Sequence, residues 1–299
     1  MMNSAYIKSF LYASMAAGML CLTACDDVKP DDRYIEGEPI AAERAVLLED
    51  FTGQNCVNCP EAHEVIEQLE EQYGRDKVIA VSIHCGSFGR PVSSTNFERG
   101  RVYLMTDEGN AIMEAYGITS FPMGVVDMGS PITMDLWSTA VRNDLQQQVD
   151  VTIDLLTAYA PDETDTDSEW HGAIKVSSKI ISGTTRNVNV QYWIVESGIV
   201  AEQRSLNGKI PEYVHNNVFR AQMFPGLKGT ATTLADGIET VVEGEIQTRW
   251  NDKERWELRN LEVVAIVSDN TGVLQVTRKP VIPRDEDNAD EGDGTETKE

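Results

Sequence analysis

Hydrophobic positions fall into two patterns along this chain. From residue 45 to about 149, short apolar runs alternate with stretches of helical spacing. Residues 45–49 predict a first strand, within an apolar run that ends at Phe51. Ala62, Val65, Ile66, Leu69 and Tyr73 recur near helical spacing and predict a helix over 61–73. Residues 78–84, Val-Ile-Ala-Val-Ser-Ile-His, are almost wholly apolar, as in a strand covered on both faces. Strand, helix and strand make a βαβ unit with parallel strands. An inserted loop or short helix over 86–109, a short helical run over 110–116, a third strand over 123–126 and an amphipathic helix over 135–149 complete this half. Beyond it the period changes to two, clearest in Asn187-Val188-Asn189-Val190-Gln191-Tyr192-Trp193-Ile194-Val195. Strands are expected over 149–159, 173–181, 187–195, 214–223, 239–248, 261–268 and 273–277, with no convincing helix among them. Such a series suggests an antiparallel sandwich. The acidic, turn-rich stretch 160–169 is read as an exposed connection.

The ends of the chain are different in kind. Lys8 followed by the apolar run 10–22 reads as a signal segment, too short to span a bilayer comfortably. It closes on Leu22-Thr23-Ala24-Cys25, which resembles the lipobox of bacterial lipoproteins. That resemblance implies cleavage before Cys25 and acylation of its sulfur and new amino group. The expected organisation is a signal peptide over 1–24, a polar tether over 25–42, an α/β domain over 43–148 and a β-sandwich domain over 149–284. A tail over 285–299 carries eight acids against Lys298 and is expected to be disordered. The chain has 299 residues and a net charge of −24, which argues against nucleic acid as a partner, because phosphate binding needs clustered Lys and Arg. The acidity reads most simply as a solubilising surface.

Candidate chemistry centres on cysteine. Cys21 leaves with the signal and Cys25 carries lipid, so Cys56, Cys59 and Cys85 remain in an oxidising envelope compartment. Cys56 and Cys59 stand two residues apart, between an apolar strand and a helix. A helix N-terminus favours thiolate, and two adjacent sulfurs allow attack on a partner followed by resolution. The same pair is equally able to form a static disulfide. Cys85 is either a buried strand-end residue or a third redox partner. Cys56, Cys59, His84 and Cys85 are all acceptable zinc ligands, although the dithiol has a fuller explanation below. His63 is expected to face solvent or pack on its helix. No phosphate-binding glycine loop and no hydrolase nucleophile elbow are present in the sequence.

The first half resembles thioredoxin-like oxidoreductases at three places. Cys56-Val57-Asn58-Cys59 matches the dithiol. Asp50 and Phe51 match a buried Asp and a Phe ahead of the first Cys, and Tyr116-Gly117-Ile118 with Phe121-Pro122 matches the approach to a cis-proline. The resemblance implies an α/β thioredoxin-like domain followed by the all-β domain. It makes Cys56 the nucleophile and Cys59 the resolving thiol. Asp50 would be a proton acceptor whose burial raises its pKa, and Pro122 a cis residue that positions substrate backbone. No cofactor is implied. The sequence departs from the pattern at Asn55, where a Trp usually stands, and at Phe121, where a small or β-branched residue is common. Pro60 sits early in the helix, and Ser82 and His84 occupy the region where a lysine partner for Asp50 is missing.

The order of lipobox, thioredoxin-like domain, acidic connection and β domain resembles a group of Bacteroidetes outer-membrane lipoproteins, with 213–220 and 260–267 as the later matching segments. That implies lipid anchorage at the outer membrane. Two functions are compatible with it. One is a thiol–disulfide oxidoreductase acting on envelope proteins with thiols or disulfides. The other is a non-catalytic surface lipoprotein whose thioredoxin-like scaffold and β domain bind a partner. Trp170, Trp193, Trp250 and Trp256 read as packing residues rather than a glycan platform, and His215 and Arg220 as satisfied structural polars.

Overall fold

The computed structural model describes residues 43–92, 102–164, 171–249 and 254–283. The signal segment, Cys25, the tether, Trp170, Trp250 and the acidic tail lie outside these residues. In chain order the elements are β1 (Val46–Thr52), α1 (Cys59–Tyr73), β2 (Val78–His84), α2 (Asp107–Ala115), β3 (Met123–Val126) and α3 (Trp137–Leu145). Then come β4 (Val151–Pro161), β5 (Gly172–Ser182), β6 (Arg186–Glu196), β7 (Ile199–Ser205), β8 (Gly208–His215) and β9 (Val218–Gln222). β10 (Thr230–Leu234), β11 (Thr240–Gln247), β12 (Leu261–Ser268) and β13 (Val273–Pro280) complete the fold. The described protein is thus mostly β with few helices.

The βαβ unit forms as its pattern dictates. β1 and β2 run parallel in register from Val46 opposite Val78 to Thr52 opposite His84, and β3 pairs antiparallel on the other side of β1. Alternate residues of β1 and β2 go to opposite faces. Val46, Leu48, Val78 and Ala80 meet Ala62, Ile66 and Leu69 of α1 and Trp137 and Val141 of α3. Leu47, Phe51, Ile79, Val81 and Ile83 meet Trp193, Val195, Phe219, Val264 and Ile266 from the second half. The apolar character of β2 therefore has one helical cover and one cover made largely of β strands.

The main sheet runs β13-β12-β6-β9-β2-β1-β3, with β10 beside β6. It crosses from one half of the chain to the other at a single parallel pairing, Ser82 with Val218. β11-β5-β4 form a three-stranded sheet, and side chains of both sheets enclose a core containing Leu155, Ile174, Tyr192, Ile194, Trp256 and Val263. Buried ion pairs tie distant segments together. Arg278 of β13 reaches Glu70 of α1 at 3.2 Å, and the Arg220 Nε lies 3.2 Å from Glu196.

One expected strand is two. Residues 214–223 break at Asn216 and Asn217, where Asn217 takes a left-handed backbone with φ 54°. The chain turns there, so the residues before the break belong to the β7–β8 hairpin and those after it to the main sheet. β7, most of β8 and β10 have no counterpart in the pattern of the sequence. The side chains of β7 and β8 alternate poorly, because both faces of the hairpin carry polar residues such as Glu202, Gln203, Arg204 and Lys209.

Candidate functional site: a disulfide beneath a hairpin

The site begins where β1 ends. Gly53 follows Thr52, and a Cβ there would overlap the Phe88 backbone, so only glycine permits this approach. Asn55 N–H donates to the Phe88 carbonyl at 2.9 Å and Cys56 N–H to the Gly53 carbonyl at 3.0 Å. α1 starts at Cys59 rather than at 61, with Asn58 as its N-cap residue. Pro60 lies in the first turn, where its missing N–H has no helical partner to lose.

Cys56 and Cys59 are joined as a disulfide, with Cα atoms 5.4 Å apart. They are bonded to each other, so they do not join His84 and Cys85 as zinc ligands. Cys85 is free and buried just beyond β2. Burial, and next the charge of Asp50, push its thiol far above the usual range, which keeps it protonated and unreactive. The Phe121–Pro122 bond is cis. The pairing of Met123 with Phe51 brings Pro122 to the end of β1 that carries the disulfide loop. Phe121 packs on Phe88 at 5.5 Å, and Phe88 in turn receives Asn55. The aromatic residue before the proline and the asparagine before the first cysteine, which looked unrelated in the sequence, thus brace one loop.

Asp50 is fully buried behind this loop. Its Oδ2 accepts from Ser82 Oγ at 3.1 Å and lies 3.4 Å from His63 Nε2, while Oδ1 has no hydrogen-bond partner among the described residues. Ser82 thus stands as the neutral partner of Asp50 where a lysine is missing. His63 is not a solvent-facing helix residue: its Nδ1 is 2.8 Å from the Tyr213 hydroxyl and its Nε2 3.1 Å from Thr52 Oγ1. Next to Asp50 on the opposite face, buried Glu49 accepts from the Tyr116 hydroxyl at 3.1 Å. Burial raises the Glu49 carboxyl to about 8, so it is protonated at neutral pH.

What lies over the disulfide was not legible in the motif. β7 and β8 pair with each other as a two-stranded sheet, and their inner side rests on the Cys56 loop. Gln203 Nε2 donates to the carbonyls of Gly53 and Cys56, at 3.2 and 3.0 Å. Gln54 Nε2 donates to Glu202 O at 3.0 Å, Arg204 N–H to Gln54 O at 2.8 Å and Arg204 Nε to Asn55 Oδ1 at 3.0 Å. Cys56 is left 3% exposed and Cys59 0%. At the other end of the hairpin, His215 packs its ring against His84 at 5.2 Å and Tyr213 at 4.9 Å. His215 is not the satisfied polar residue its sequence suggests: neither ring nitrogen has a hydrogen-bond partner among the described residues. Arg220, by contrast, is paired with Glu196 and donates to the Tyr103 carbonyl. Among the described residues no group of His, Cys, Asp and Glu is arranged to hold a metal ion.

Comparison with known proteins identifies the chain. No curated protein matches it. Among solved structures, HBP35 of Porphyromonas gingivalis is similar at 16% identity, covering 80% of this chain and 76% of that one with a TM-score of 0.54, a likeness of fold. A domain of the outer membrane lipoprotein Omp28 from Porphyromonas gingivalis aligns at 18% identity with 46% of this chain and 91% of that one, at a TM-score of 0.29. The family model described as outer membrane protein Omp28 matches residues 109–284, more than half of the chain. The chain therefore belongs to the Omp28 family of outer membrane proteins, and the outer membrane is where it resides.

Proposed function

We propose that this protein is a lipid-anchored outer-membrane lipoprotein, tethered through Cys25, that works by binding a partner rather than by turning over its disulfide. In this reading residues 43–148 are a thioredoxin-like scaffold, and the β strands after 149 supply the binding surface for an envelope protein. The observation that carries it is the cover over Cys56 and Cys59: with 3% and 0% exposure, neither sulfur can meet an incoming thiolate in line with the S–S bond. The outward side of the cover supports the binding role, since Val200 and Val214 are paired there and half exposed, with Leu206 at the tip.

The test is alkylation of the purified protein across a glutathione redox series at neutral pH, with labelled Cys56 and Cys59 counted by mass. They should stay locked at every physiological poise. Labelling that follows the poise within minutes would overturn the non-catalytic reading. A second reading, thiol–disulfide exchange with envelope proteins, draws support from Asp50, fully buried behind the disulfide loop. There Cys56 would be attacked or attack, Cys59 would resolve and Asp50 would exchange the proton. A Cys59→Ser variant that traps mixed disulfides in cells would favour that reading, and an absence of adducts would favour the scaffold.

A further inference from the structure

We propose that the β7–β8 hairpin is an acid-released cover, held shut at neutral pH by the uncharged rings of His84 and His215. The inference deepens the proposed function, because it rests on the hairpin being what seals the disulfide. Three of the four histidines in the chain converge here, from three elements: His63 on α1, His84 at the end of β2 and His215 at the end of β8. His84 faces His215 at 5.2 Å between ring centroids, and His63 faces His215 at 6.5 Å. Both His84 and His215 are almost completely buried, and among the described residues none of their four ring nitrogens has a hydrogen-bond partner.

The rest of the interface has the same character. Asp50, Gln54, Glu202 and Gln203 each bury a side-chain oxygen with no hydrogen-bond partner among the described residues. An interface with this many unpaired polar atoms is a contact that can part, since water would satisfy every one of them. The apolar cores, in comparison, lie outside it.

Charge decides when it parts. The groups around the rings are Asp50 and Thr52 from β1, His63, Glu64 and Glu67 from α1, Ser82 from β2, Cys85, Tyr213 from β8 and Arg220 from β9. Desolvation, and then the neighbouring rings, hold His84 well below the ordinary histidine value, with the Ser82 backbone opposing weakly and Arg220 adding a little. Desolvation and His63 bring His215 down to about 3. A histidine depressed in the closed form and normal in the open form favours closure above about 6.5 and loses that preference as pH falls toward the closed-form value. Two such residues make opening about 100-fold more favourable at pH 5.5 than at pH 7.5.

The experiment is reduction of the full chain by a water-soluble phosphine at pH 7.5, 6.5 and 5.5. Each rate is divided by the rate for oxidised glutathione under the same conditions. The phosphine gives two electrons to the Cys56–Cys59 bond and is itself oxidised by that disulfide; water supplies the oxygen of the phosphine oxide and the protons of the two thiols, so the reaction balances without another reductant. The normalised rate should rise about 100-fold between pH 7.5 and 5.5, and a His84→Phe/His215→Phe variant should show no rise. A flat rate in the native chain, or an equal rise in the variant, overturns the proposal. Because that variant is able to misfold, amide exchange of the native chain supplies a second reading. Acid should remove protection from 199–215 while 261–268 keeps its own; loss in both, or in neither, overturns it. A disulfide that reacts freely at pH 7.5 would instead refute the sealed reading, whatever the pH dependence.

Discussion

Glu49 and Asp50 are adjacent acids on one strand, fully buried, and point to opposite faces. Asp50 faces the disulfide loop and Ser82; Glu49 faces Tyr116. Nothing in Val-Leu-Leu-Glu-Asp-Phe marks Glu49 as unusual, because its protonation follows from burial by residues far away in sequence. The sign of its effect is definite. Its carboxyl is raised from about 4.5 to about 8, so the stability it contributes is full below 4.5 and is lost as pH rises through 8. Glu49→Gln keeps the hydrogen bond to Tyr116 and removes the titration. Relative to this variant, the native chain should lose up to about 1.4 kcal/mol per pH unit between 4.5 and 8. Urea midpoints of both proteins at pH 5 and pH 8 measure it, and a constant gap would show that Glu49 is ionised throughout. The histidine pair acts in the opposite sense, so the single-residue comparison is needed to separate the two.

At the scale of elements, the β7–β8 hairpin is the one that changes the meaning of the site. Its grip on the disulfide loop is concentrated in Gln203, which serves two carbonyls of that loop and that of Arg204. Gln203→Ala removes these bonds and takes from the buried Cys56 carbonyl the side-chain donor that meets it, while Gly53 O keeps the Cys56 N–H, a cost of about 1–3 kcal/mol. The expected result is faster amide exchange over 199–215 and faster phosphine reduction at pH 7.5, with 261–268 unchanged. Equal loss of protection in both segments would mean that Gln203 stabilises the whole fold rather than the cover. β2, β3 and β12 match their expected limits; β2 and β12 do so because runs rich in β-branched and aliphatic residues leave little competing period. The hairpin has no periodic signature in the sequence because neither of its strands has a consistent apolar face.

For the whole molecule, the notable feature is that the second half of the chain supplies one face of the first. Ile79, Val81 and Ile83 of β2 pack on Trp193, Val195, Phe219 and Ile266, and β9 continues the sheet through Val218. A fragment spanning 43–149 would present that face to water, a contiguous apolar surface of the kind that drives aggregation. It should bind a hydrophobic dye and unfold without a cooperative transition. A monomeric, cooperative fragment would show that α1, α2 and α3 suffice for the core. Arg278, which ties β13 to α1 through Glu70, belongs to the same arrangement.

The sequence by itself determined the local elements. It placed β1, α1, β2 and β3 in order and brought Cys56 and Cys59 to a helix start. These follow from short-range pattern and spacing, which a single segment carries. Only the tertiary structure decided that Glu49 is neutral, that His63, His84 and His215 meet, and that Gln203 seals the disulfide loop. Those outcomes depend on burial and on contacts between residues as many as 152 positions apart, 215 − 63 for the two outer histidines, and desolvation leaves no trace in the segment that undergoes it.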